Sequence, residues 1–175
     1  MKMSKNKTIL ASIVGALVVI IAVFAFLNKD AVEEKKTLNN DSIFIVMNNG
    51  EEIKKYNMEE VRGLGETKFK ANLKKNGKDP IEYEYTGVLL KNLFQDAGVS
   101  LDGKEAVVMT AADGYATSVE IKKVLEDDNV YVAFMKEGEA IGTKEEGGKG
   151  PYQIIISKDQ FSQYWCKYAL SADAK

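Results

Sequence analysis

The stretch TAADGYATSVE, residues 110–120, sets a phenol, Tyr115, two residues after the carboxylate of Asp113. Two readings stand for it. Tyr115 can donate a hydrogen bond from the rim of a ligand pocket. Equally, it can cover the corner of a hairpin whose turn is Asp113-Gly114. GGKGP, residues 147–151, could cradle an anion with backbone N–H groups and Lys149. It lacks the P-loop pattern and precedes a strand, so a plain turn stands beside that reading. Glu82 and Glu84 alternate with Tyr83 and Tyr85 and fall on one strand face, where solvated charge is expected. Asp127-Asp128 and Glu145-Glu146 do not have the alternating oxygen-ligand spacing of a calcium loop, and no metal site is assigned. Phe161, Tyr164, Trp165 and Tyr168 are expected to pack in the core, with Cys166 a small buried hydrophobe among them.

Composition removes several chemistries. There is no histidine, so Ser-His-Asp triads, Cys-His dyads and His-based metal sites are excluded. The single cysteine excludes an internal disulfide and a CxxC pair. Arg62 is the sole arginine, so no multi-arginine anion clamp can form. A net charge of −2 argues against a nucleic-acid binder. With 45% apolar residues the chain can build a core.

The elements that must position these groups read as follows. SIFIVMN and EEIKKYN flank the turn NNG as a hairpin. NMEEVRGLG is a short helix with Asn57 as its N-cap. ETKFKANLKKNGKDPIEYEYTG alternates twice around NGKDP, a second hairpin. GVLLKNLFQDAGV places Val88, Leu89, Leu90, Leu93, Phe94 and Ala97 at helical spacing, ended by Gly98. KEAVVMTA is a strand, EIKKVLEDD a short helix, VYVAFMKEGEAI a strand with a turn at Glu137-Gly138, and YQIIIS a strand. FSQYWCKYALSAD closes the chain as a strand or irregular segment. Strands and short helices without regular βαβ alternation predict an α+β fold with mixed sheets.

Ahead of this domain, residues 1–8 carry Lys2, Lys5 and Lys7, and residues 9–27 are uncharged and apolar. A helix of that length spans roughly 28 Å, near the hydrocarbon thickness of a bilayer. The expectation is a cytoplasmic basic tail, one transmembrane helix over 9–27, a polar linker over 28–41 and an extracytoplasmic domain over 42–175. A cleaved signal peptide, giving a secreted domain, is the competing reading. The partners expected are the membrane, a small anionic ligand or a surface protein.

The order of YTGVLLKNLFQDAGV, VVMTAADGYATSVEIKKVL, VYVAFMKEGEAI, GGKGPYQIIIS and YWCKYAL resembles the oxidoreductase molybdopterin-binding domain of the sulfite oxidase family. The resemblance implies that family's fold and a pterin-type ligand. It also implies a molybdenum ligand cysteine in the strand before the Gly-Val helix, yet the matching stretch KFKANLKKNG holds none. In the family's GPxRL motif an arginine faces the anionic substrate or cofactor; Gln153 stands there, able to hydrogen bond but without charge. Tyr115 matches the family's active-site tyrosine, and Lys167 matches a lysine near the cofactor's anionic end. The ligand-facing set implied is Asp113, Tyr115, Lys149, Gln153 and Lys167. The expectation is a non-catalytic relative that binds a pterin or small ligand. An enzyme with atypical metal ligation and an interaction domain with a filled pocket are the alternatives.

Overall fold

The computed structural model describes residues 5–74 and 79–175, with side chains described except at 5–12, 27 and 30–32. The chain divides into two units, one ending at Lys36 and one of Thr37–Lys175. In the first, α1 is Lys5–Leu27, and its described side chains, residues 13–26, are exposed. Among the described residues no helix is long and apolar enough to cross a membrane. The remainder of the expected 9–27 span lies outside the described side chains. The 28–41 segment, expected as a linker, is helical over Lys29–Asn40 (α2). Glu, Lys and Ala favour a helix even without an apolar stripe, and Lys29 pairs with Glu33 one turn on.

The second unit holds two sheets. The first has the order β2 (Glu51–Tyr56), β1 (Phe44–Asn48), β10 (Ala169–Ala174), β5 (Ala106–Ala111), β6 (Ala116–Glu120). β1 and β10 run parallel, and the other pairs are antiparallel. The second has β3 (Thr67–Leu73), β4 (Ile81–Leu89), β7 (Val130–Lys136) and β8 (Glu139–Ala140), with β9 (Gln153–Ile156) also on β7. Short helices α3 (Met58–Gly63), α4 (Leu90–Asp96) and α5 (Ile121–Leu125) connect the strands. One core draws on both sheets: Val46, Met109 and Ala172 from the first, Tyr85, Val132 and Ile154 from the second, and Leu93 and Phe94 from α4. Burial of each such apolar side chain is worth about 1.5–3 kcal/mol.

Most elements sit where the pattern places them. Asn57 caps α3 in a capping box: its Oδ1 accepts from the Glu60 N–H at 3.0 Å, and the Glu60 carboxylate accepts from the Asn57 N–H at 2.8 Å. The turn of the β3–β4 hairpin, residues 75–78, lies outside the described residues. The helix expected from Gly87 onward begins only at Leu90. Val88 and Leu89 belong to β4 instead, opposite Val132 and Tyr131 of β7. Gly87 explains the difference. A Cβ there would lie 2.6 Å from the Val132 carbonyl oxygen and 2.8 Å from Ala133 Cα, so only glycine lets β4 approach β7 at this bulge.

Candidate functional site

The β5–β6 hairpin makes a tight corner. The Ala111 N–H donates to the Tyr115 carbonyl at 2.8 Å, and the Gly114 N–H to the Ala111 carbonyl at 3.1 Å. Asp113 Oδ1 accepts from the Tyr115 N–H at 3.1 Å, closing the turn in the manner of an Asx residue. Tyr115 is 44% exposed, and its hydroxyl donates to the Gln163 carbonyl at 3.4 Å. Tyr115 thus stands at a hairpin corner and lines a cleft.

That cleft, about 550 Å³, is walled by Lys74, Asp113, Tyr115, Phe161, Trp165 and Lys167. Trp165 is buried, packed edge-on against Tyr85 at 5.9 Å between ring centres. Its Nε1–H is buried and has no hydrogen-bond partner among the described residues. Phe161 and Tyr164, expected in the core, are exposed. The 3-10 turn Ser162–Tyr164 swings them outward, and Lys74 Nζ lies 4.5 Å from the Phe161 ring centre.

A second cleft, about 270 Å³, meets the first at Lys167. Tyr85, Lys136, Glu139, Gly148, Lys149 and Gln153 line it. The five residues expected to face a ligand are thus divided: Asp113 and Tyr115 on the larger cleft, Lys149 and Gln153 on the smaller, Lys167 on both. The glycine loop does not offer an amide cradle. The Gly147, Gly148 and Gly150 N–H groups donate to the Lys144, Thr143 and Gly142 carbonyls at 3.1, 2.8 and 2.7 Å. Gly148 is glycine because a Cβ would fall 2.1 Å from the Ile141 carbonyl oxygen. Lys149 lines the smaller cleft.

Sequence reasoning missed Lys74, Tyr85 and Lys136. Tyr85 and Lys136 are direct partners across the β4–β7 ladder, and only that register brings them together. Burial pushes the Tyr85 phenol up to about 12, with Tyr83 and Glu137 adding to the effect, so it remains a donor at neutral pH.

Carboxylates elsewhere are engaged in structure. Glu84 and Glu82 pair with Lys68 and Lys70 at 2.7 and 2.9 Å, Asp127 pairs with Lys91 at 2.6 Å, and Glu146 accepts from the Thr143 N–H at 2.7 Å. Among the described residues no three His, Cys, Asp or Glu side chains form a metal site. Cys166 is fully buried; its backbone pairs with Ile154, and its thiol lies 3.8 Å from the Lys167 carbonyl. Burial, then the Asp113 charge, pushes the thiol up to about 12. A sealed, protonated thiol does not fit thiolate ligation of a metal. The clefts' lining of aromatic rings on one side and ammonium groups on the other does fit the pterin and phosphate portions of a pterin cofactor.

Comparison with known proteins agrees with this geometry. The fold matches the crystal structure of the sulfane dehydrogenase SoxCD from Paracoccus pantotrophus with a TM-score of 0.61 and 19% identity. The match covers 77% of this chain and 38% of that one. No curated protein matches. The family model described as "Oxidoreductase molybdopterin binding domain" matches residues 67–158, more than half of the chain. This chain belongs to the oxidoreductase molybdopterin-binding domain family.

Proposed function

We propose that this chain is an accessory, ligand-holding member of its family. It takes a pterin-type or other small anionic ligand in the clefts that meet at Lys167, without cysteine-ligated metal chemistry. The observation that carries this reading is the sealed position of Cys166 beside clefts that keep lysine, tyrosine and glutamine side chains on their walls. The chain's own residues would bind and orient. Lys136, Lys149 and Lys167 supply positive charge, Gln153 and Tyr85 supply hydrogen bonds, and Tyr115 and Phe161 flank a planar ring. The reading includes export and anchoring. The uncharged run 9–27 behind Lys2, Lys5 and Lys7 supports a membrane span with the second unit outside the cytoplasm.

The test is native mass spectrometry of the full chain purified from a host that synthesises molybdopterin. The expected result is a bound pterin mass without molybdenum. Equimolar molybdenum would instead establish an oxidoreductase with atypical ligation. A second reading, a docking surface for a partner protein, is favoured by the exposed rings of Tyr115, Phe161 and Tyr164. An apo mass would transfer support to it.

A further inference from the structure

The turn between β1 and β2 sets an Asn-Gly dipeptide between an ammonium and a carboxylate. Asn49 (φ 53°) and Gly50 (φ 90°) form this two-residue turn, and both are exposed. The backbone nitrogen after an asparagine reaches the side-chain Cγ through a five-membered ring, and a glycine there presents no Cβ to hinder the approach. Asn49 Oδ1 accepts from Lys104 Nζ at 2.9 Å. The Gly50 N–H donates to Asp173 Oδ1 at 3.1 Å. Asp173 is 8% exposed, and its other oxygen pairs with Lys175 Nζ, which fixes the carboxylate on that N–H. The strand order β1-β10-β5 gathers these groups from distant parts of the sequence: Asp173 lies on β10, and Lys104 just precedes β5. A cation thus faces the electrophilic carbonyl, and a base faces the nucleophile's proton. None of the four residues lines either cleft.

We infer that Asn49-Gly50 is a self-modification site, at which Lys104 and Asp173 promote closure of a succinimide that water opens to aspartate or isoaspartate. Asp173 takes the Gly50 N–H proton as the nitrogen attacks Asn49 Cγ, and the Lys104 ammonium stabilises the oxyanion that forms on Oδ1. The new bond joins Gly50 N to Cγ. The bond from Cγ to Nδ2 breaks, and Nδ2 leaves as ammonia with the proton that Asp173 returns. Solvent water then adds across either carbonyl of the imide, which the exposed turn admits. No oxidant, metal or other reactant enters. An aspartate at position 49 keeps the Lys104 ammonium as its partner, so the fold accommodates the added charge. The two contacts also restrain the turn, and a pure clamp would retard closure. Catalysis and clamping therefore predict opposite effects when either group is removed. The inference concerns a different face of the chain's chemistry from the clefts and does not depend on the proposed function.

The experiment incubates the folded full chain at neutral pH and follows residue 49 by peptide mass mapping. Fragment ions locate the loss of ammonia in the imide and the uptake of water in the acid, and they separate Asn49 from Asn39, Asn40 and Asn48. A synthetic peptide of residues 44–54 under the same conditions gives the rate of the dipeptide without Lys104 and Asp173. The folded chain should convert at least as fast as the peptide. Lys104→Met and Asp173→Asn should each slow conversion in the folded chain about tenfold. Thermal unfolding verifies that each variant folds. The two groups stand on separate strands, so either folded variant decides the sign, and the comparison of wild type with peptide decides it without them. Conversion slower in the folded chain than in the peptide overturns the inference. So does acceleration by Lys104→Met or Asp173→Asn, which would make the pair a clamp. An imide-mass species that does not hydrolyse and joins the Asn49 peptide to that of Lys104 overturns it as well, since the lysine would then be the nucleophile.

Discussion

At the scale of single residues, burial decides what each chemical group can do. Cys166 has the one thiol in the chain, and its environment holds it protonated. In folded protein at pH 8 it should resist alkylation by iodoacetamide, and it should react fully once denaturant is added. Rapid labelling of the native state would contradict the sealed position. Asp96 is the reverse case. The Lys54 ammonium at 2.7 Å, and then the Tyr56 hydroxyl at 2.7 Å, hold its carboxyl below the usual carboxylate range. A depressed pKa contributes stability above the unfolded-state value, and that contribution is lost as pH falls through the folded value. Asp96→Asn should therefore destabilise at pH 7 by about 1 kcal/mol or less, since the pair is partly exposed. The gap from wild type should close toward acid. Chemical denaturation at a series of pH values reads both effects.

Among elements, the β4–β7 pair controls the site. It sets Tyr85 opposite Lys136 and, through β9 on the other side of β7, presents Gln153 to the same cleft. Gly87 allows the approach. Gly87→Ala should cost about 1–3 kcal/mol by forcing the strands apart, measurable as a lower unfolding midpoint. An unchanged midpoint would contradict the close contact. This pair was also the element least legible in the sequence. Val88 and Leu89 continue an apolar run that fits helical spacing as well as a buried strand, and only tertiary pairing separates the two. By contrast, the capping box of α3, the Glu137-Gly138 turn and the alternating β5–β6 hairpin carry local signals, and the structure reproduces them. The site was legible in part. Motif order named Asp113, Tyr115, Lys149, Gln153 and Lys167 as ligand-facing, and these residues line one or both of the clefts. Lys74, Tyr85, Lys136 and the outward turn of Phe161 depend on long-range register or loop conformation, which no local pattern encodes.

For the whole molecule, the two sheets share one core, and the clefts lie where loops from both converge on Lys167. The family's fold is kept, the chain's one thiol is buried in the core, and Gln153 stands where the resemblance implies an arginine. Ligand retention and metal ligation should therefore be separable. The most direct test compares wild-type chain with Cys166→Ala, both purified from a host that synthesises molybdopterin, for bound pterin by mass and molybdenum by elemental analysis. The account predicts equal pterin retention in the two proteins and no molybdenum in either. Stoichiometric molybdenum in wild type that disappears with Cys166→Ala would contradict it.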